Sequence, residues 1–170
     1  MPTDYEQLYR ETDHVLGAPT KEFVDFFAGY RKAEARVLDI GCGQGRDALF
    51  IARLGHSFTG VDHSPSGIAD LIRDAKKEEL QIRGEVADLR FYQTKRLYDV
   101  VVIDRTLHML DSNVQSTVLT RLIPFVDNDG FILIADEPKN ISQLQTVFDE
   151  SETQWRIALK ERGLLFLQRR

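Results

Sequence analysis

The stretch Val37-Leu-Asp-Ile-Gly-Cys-Gly-Gln-Gly45 constrains this chain more than any other. A short apolar run, Arg36 to Ile40, passes directly into glycines at alternate positions, Gly41, Gly43 and Gly45. The run predicts a buried strand. The glycines let the backbone turn sharply off that strand and approach a ligand with no Cβ in the way. Behind them, Arg46 to Leu54 reads as a helix closed by Gly55, because glycine best tolerates a left-handed cap. Strand, glycine-rich bend and helix open many nucleotide-binding α/β folds, and the glycines alone do not say which nucleotide.

The alternation continues. Ser57-Phe-Thr-Gly-Val-Asp62 is a second strand, and Ser64 with Pro65 opens a helix whose apolar stripe is Ile68, Leu71, Ile72 and Ala75. A third strand is expected around Ile82 to Ala87, weakened by Gly84. Tyr98-Asp-Val-Val-Val-Ile-Asp104 is β-branched with little polar relief, as in a strand covered on both faces. Asp111 or Ser112 starts a helix with Val114, Val118, Leu119 and Leu122 inward. Asn128-Asp-Gly130 reads as a turn before the strand Phe131 to Ala135, and Ile141, Leu144, Val147 and Phe148 mark another helix. Trp155 to Leu159, a turn at Glu161-Arg-Gly163 and Leu164 to Leu167 make a hairpin. Strands alternating with helices, then a hairpin, give a doubly wound, mostly parallel α/β sheet with one antiparallel strand.

Residues 1–35 read as an N-terminal helical extension, and residues 36–170 as one domain. In the extension Tyr5 and Tyr9 share a helical face, Gly17 and Pro19 break the chain, and Thr20 is placed to cap a helix bearing Phe23, Phe26, Phe27 and Tyr30. These aromatics read first as core; a lid formed by Tyr5 and Tyr9 is the second reading.

Carboxylates narrow the ligand. The bend is G-x-G-x-G, not the G-x-G-x-x-G that offers a helix N-terminus to a pyrophosphate. Asp39, just before it, would repel a pyrophosphate but suits an ammonium group. Asp62 closes the second strand, about twenty residues on, where a carboxylate takes both ribose hydroxyls. Asp88 ends the third strand beside Leu89, placed to accept from an adenine amino group, or to serve only as a solvated turn residue. Acids at three successive strand ends fit a cationic nucleoside without phosphate.

Within the bend, Cys42 reads as a small buried filler, and Arg46 as ordering the loop or meeting a ligand carboxylate. The fourth strand runs into Asp104-Arg-Thr-Leu-His-Met-Leu110. Ligands of such sheets lie at the carboxyl ends of the strands, so Asp104, Arg105 and His108 are expected near the reacting group. Asp104 and His108 are the candidate bases, and Arg105 holds an anionic group or pairs with an acid. His108 is equally read as a helix-start or packing residue.

Composition removes several classes. A net charge of −5 with acids and bases interspersed disfavours a nucleic-acid partner. No apolar run approaches a membrane span, and the opening Met-Pro-Thr-Asp-Tyr-Glu lacks the parts of a signal peptide, so a cytoplasmic setting is expected. One cysteine and scattered histidines (His14, His56, His63, His108) predict no metal cluster.

Val37 to Asp47, with Gly60-Val-Asp62 and Val86-Ala-Asp88, resembles the class I S-adenosylmethionine-dependent methyltransferases, over residues 36 to about 168. Gly45-Arg-Asp47 and the Tyr-x-x-x-Tyr helix before a Pro-Thr turn resemble, more narrowly, the small tellurite-resistance and thiopurine-type branch. The resemblance implies a Rossmann-like, seven-stranded sheet of order 3-2-1-4-5-7-6, with S-adenosylmethionine as cofactor and S-adenosylhomocysteine as product. It implies cofactor contacts at Asp39, Gly41, Asp62 and Asp88, with His63 beside the ribose; Cys42, Gly43, Gly45, Arg46 and Leu89 complete the expected cofactor side. Direct in-line transfer to a small-molecule acceptor follows, since no recognition domain is evident and only the extension and loops remain to cover the site. The acceptor side is expected at Arg105, Tyr5 and Tyr9. A sulfur, selenium or tellurium acceptor needs little base help once ionised, whereas an oxygen acceptor would draw on Asp104 or His108. A monomer or homodimer is expected. The rivals are a catalytically silent cofactor-binding partner subunit and a nicotinamide-binding oxidoreductase, the latter disfavoured by the bend and by Asp39.

Overall fold

The computed structural model describes residues 3–170. Helices α1 (Tyr5–Glu11) and α2 (Lys21–Gly29) precede β1 (Arg36–Ile40), α3 (Arg46–Arg53), β2 (Ser57–Asp62), α4 (Pro65–Lys77) and β3 (Ile82–Val86). Then follow β4 (Tyr98–Asp104), α5 (Ser112–Leu122), β5 (Val126–Ala135), α6 (Ile141–Asp149) and the hairpin β6 (Trp155–Glu161) and β7 (Leu164–Arg169). The seven strands run in the order β3-β2-β1-β4-β5-β7-β6, as the resemblance implies. The chain divides into two compact units, the first ending at Asp88 and the second beginning at Leu89.

In the first unit β1, β2 and β3 are parallel, with Asp39 opposite Gly60 and Asp62 opposite Val86. Val37, Leu38, Ile40, Phe58 and Val61 are buried, because helices cover faces that β-branched and aliphatic residues fill. Ser64 caps α4 by accepting from Gly67 N, with Pro65 in the first turn. Gly84 weakens β3 as a strand but lets α4 approach: a Cβ there would lie 2.8 Å from Ile68 Cγ2 and 3.1 Å from Ile72 Cγ1. Ile72, expected on the inward stripe, remains 37% exposed at the margin of that contact. Thr20 holds the N-cap position of α2 without a side-chain cap bond; its hydroxyl accepts from Arg46 Nη2 instead, at 3.1 Å.

In the second unit β4 and β5 are parallel, while β7 runs antiparallel to both β5 and β6. Every residue of β4 is buried. The expected turn at Asn128-Asp-Gly130 is instead an irregularity inside β5: Tyr98 pairs with Val126, yet Val100 pairs with Phe131. Asp129, at φ 60°, takes up the extra chain locally, so pairing resumes and the strand starts five residues earlier than the apolar run suggests. On α5, Gln115 is buried where Val114 was expected, its amide donating to Leu110 O at 2.9 Å. Among the described residues no helix is long and apolar enough to cross a membrane.

Candidate functional site

The bend after β1 takes its shape from three left-handed residues, Gly41 (φ 85°), Gly43 (φ 51°) and Gly45 (φ 88°). L-residues rarely adopt this region, which accounts for the glycine spacing. Space demands glycine too. A Cβ on Gly45 would lie 2.3 Å from Leu71 Cδ1, and one on Gly43 would lie 2.5 Å from the Tyr9 hydroxyl. Gly41 N and Cys42 N both donate to Val61 O, at 2.7 and 3.2 Å, pinning the bend to the end of β2.

Asp62 organises the bend. Its Oδ2 accepts from Gly43 N and its Oδ1 from Ser64 N, each at 2.9 Å, and His63 Nδ1 stands 3.4 Å from Oδ1. A carboxylate has about four acceptor sites, so two bonds fix its orientation and leave acceptor capacity for a ligand. Ala87 N donates to Asp62 O at 2.8 Å, holding the end of β3, and hence half-buried Asp88, to the end of β2.

Asp39 differs in kind. It is 3% exposed, and its Oδ1 has no hydrogen-bond partner among the described residues. Burial, reinforced by the charges of Asp47 and Asp62, pushes its carboxyl well above the ordinary carboxylate range. A buried, unsatisfied acceptor costs stability unless something meets it. Cys42 lies beneath Gly60, where a Cβ would come within 2.7 Å of Sγ. Burial, then Asp39 and Asp62, raise its thiol well above the usual range, which suits a filler and not a nucleophile.

The N-terminal segment closes on this bend. Glu6 accepts from Ser64 Oγ (2.5 Å), Ser66 N (3.1 Å) and Ser66 Oγ (2.7 Å), and these bonds hold its carboxyl down at about 2. Tyr9 is buried against Gly43 and Gly67, with the half-buried Tyr5 ring 5.7 Å away. Gln44, inside the bend, accepts from Val15 N and donates to Thr12 O and Asp70 Oδ2. Arg46 reaches Leu16 O, Thr20 Oγ1 and Asp47 Oδ2, while Asp47 Oδ1 accepts from Thr20 N. Sequence reasoning reaches Asp47 only through the likeness of Gly45-Arg-Asp47 and misses Glu6, Gln44 and Ser66, of which Gln44 alone carries a signal, as a polar residue inside a glycine-rich loop.

In the second unit Leu89 is buried. At the end of β4 the Asp104 side chain is 5% exposed, with Arg105 Nε 4.0 Å from its Oδ1. Arg105 sits in the left-handed region (φ 48°), its N donating to Ala135 O at 2.7 Å and its side chain 65% exposed. A non-glycine residue held there is strained, a condition concentrated at functional sites. His108 lies in a short 3₁₀ turn, Leu107–Met109, whose position is set by Asp136: Asp136 Oδ2 accepts from His108 N at 3.1 Å. Asp136, just past β5, gave no sequence signal. The structure thus gathers Asp39, the bend, Asp62, His63, Asp88, Tyr5 and Tyr9 in the first unit, and Asp104, Arg105 and His108 in the second. Among the described residues no group of three or more His, Cys, Asp or Glu side chains is arranged to hold a metal ion.

The chain is 30% identical over 99 residues to a probable S-adenosyl-L-methionine-dependent methyltransferase TehB of Haemophilus influenzae, covering 58% of this chain and 35% of that protein. It is 36% identical over 69 residues to hemagglutinin 1 of Eikenella corrodens, covering 41% and 23%. The chain therefore spans between about a quarter and a third of these relatives' lengths. The crystal structure of TehB from Haemophilus influenzae superposes with a TM-score of 0.70 at 21% identity, over 97% of this chain and 65% of that one, which establishes a shared fold. The sequence pattern of one family matches residues 27–146, more than half of the chain, and by that match the chain belongs to the family described as tellurite resistance protein TehB.

Proposed function

We propose that this chain is an S-adenosylmethionine-dependent methyltransferase acting on a small-molecule acceptor. The observation that carries the reading is Asp39, a buried carboxyl with an unmet oxygen at the mouth of a phosphate-averse bend. An ammonium group is the partner that lowers the cost of such a group, and S-adenosylmethionine brings one on a nucleoside without phosphate. The likeness to a probable S-adenosyl-L-methionine-dependent methyltransferase of Haemophilus influenzae supports the same cofactor.

In this reading Asp39 holds the ammonium, and Asp62, already oriented by two backbone donors, takes the ribose hydroxyls with His63 beside them. Asp88 and Leu89 receive the adenine, and Gly41, Cys42, Gly43 and Gly45 give the backbone room to approach. Arg46 keeps the bend in shape through Asp47 and Thr20. When bound, the cofactor supplies a methyl group on a sulfonium, a ready leaving group. What remains for the protein is alignment of the acceptor and exclusion of water. The N-terminal extension, residues 1–35, serves as the lid, with Tyr9 already closed over Gly43. Asp104 and His108 are the acceptor-side bases, and Arg105 binds an anionic part of the acceptor.

Calorimetry with S-adenosylmethionine, S-adenosylhomocysteine and NAD tests the reading. Binding of the two sulfur nucleosides without NAD is expected. NAD binding in their place would overturn it, and cofactor binding without turnover of any acceptor would leave a silent cofactor-binding subunit.

A further inference from the structure

Asp136 does more than end β5. Its side chain is fully buried, and its Oδ1 accepts from Glu137 N and Asn140 Nδ2, both at 2.8 Å. Its Oδ2 accepts from the backbone of His108 and lies 3.7 Å from Nδ1 of the same residue. That Nδ1 is itself buried and has no hydrogen-bond partner among the described residues, although the imidazole as a whole is 28% exposed. The exposed side of the ring is therefore the Nε2 side. A lone pair on Nδ1 would set two electron-rich atoms against each other away from water, where such repulsion is strong. A proton on Nδ1 turns the same contact into attraction. The 3.7 Å gap is of the kind that tightens in a working complex.

We propose that His108 and Asp136 form a proton-accepting pair, in which Asp136 fixes the neutral imidazole with its proton on Nδ1 and its Nε2 lone pair outward, and that the acceptor of this enzyme is a molecule that must lose a proton. This rests on the methyltransferase reading above. Nε2 takes the proton of an acceptor X–H and leaves the bonding pair on X; the imidazolium so formed is stabilised by the Asp136 carboxylate and returns the proton to solvent from Nε2. Asp136 is a positioning residue, His108 the base. An acceptor that arrives as an anion gains nothing from the pair, whereas an aliphatic thiol or a phenol does.

Two measurements test this. Long-range ¹H–¹⁵N spectra of the free protein, above the titration of the imidazole, are expected to show His108 as the Nδ1–H tautomer. In Asp136→Asn the amide oxygen keeps the bonds from Glu137 N and Asn140 Nδ2, while the NH₂ gives up the bond from His108 N and donates to Nδ1, so the tautomer is expected to switch to Nε2–H. His108→Gln is expected to lower kcat on 2-mercaptoethanol about 100-fold with little change in KM, and to change turnover of 4-nitrothiophenolate less than about threefold. An Nε2–H tautomer in the wild-type protein, or equal losses on the two acceptors, would overturn the pair. The spectra require neither cofactor nor acceptor and stand even where Asp136→Asn fails to fold. Failure to bind S-adenosylmethionine, with the Nδ1–H tautomer present, would instead sink the methyltransferase reading.

Discussion

The bend after β1 and the end of β4 are both strand-to-loop transitions carrying acids, but they are built in opposite ways. At the bend, positive φ falls on Gly41, Gly43 and Gly45, so the turn costs little, and Asp62 clamps it from the next strand. At the end of β4, positive φ falls on Arg105, and His108 is held by Asp136, a residue from the end of another strand. The first region is a preformed cradle with one unmet carboxyl. The second carries backbone strain and depends on a distant partner. A fixed cofactor suits a cradle of low strain, and a variable acceptor suits a site that later elements can re-aim.

A cradle that tolerated a side chain would not differ from the end of β4 in this way. Gly45→Ala should destabilise the fold by about 3 kcal/mol, since it adds a left-handed strain and a Cβ driven against Leu71; chemical denaturation measures it. Asp62→Ala removes the acceptor for Gly43 N and Ser64 N. It should cost about 2 kcal/mol of stability and weaken S-adenosylhomocysteine binding by about 10- to 100-fold in calorimetry.

Asp39→Asn should separate function from stability. With its carboxyl raised by burial, Asp39 in the free protein contributes stability that is greatest below the ordinary carboxylate range and is lost as pH rises through the raised value. The amide lacks that loss, so the variant should melt about 2–5 °C higher than wild type at neutral pH while binding S-adenosylmethionine at least about 10-fold more weakly. Because an ammonium favours the carboxylate, binding to the wild type should release a proton and tighten as pH rises. Calorimetry in two buffers of different ionisation enthalpy reads that release, and Asp39→Asn should abolish it.

The smallest effect concerns the second region. Arg105→Gly relieves the left-handed strain and should raise stability by about 0.5–1 kcal/mol in denaturant melts, with turnover, not cofactor affinity, reduced. A loss of stability would show that the Arg105 side chain contributes more than its backbone costs.

The same contrast explains what was legible in the sequence. β1, β2, β4 and the final hairpin were readable because their apolar runs and flanking glycines act locally, and the acids at strand ends followed from them. The bulge in β5 was not, since Asn128-Asp-Gly130 is an ordinary turn signal and only pairing with β4 makes it an interruption. Glu6 and Asp136 were not legible either. Each acts on a residue far away in the chain, Ser64 in one case and His108 in the other, and no spacing rule connects them. Thr20 misled for the same reason, its hydroxyl being taken by Arg46 in place of its own helix.

A crystal structure with S-adenosylhomocysteine bound would show directly whether Asp39 meets an ammonium group. The ligand's ammonium is expected within hydrogen-bond distance of Asp39 Oδ1 and its ribose hydroxyls on Asp62. A ligand seated elsewhere, or one whose carboxylate end faces Asp39, would contradict that placement.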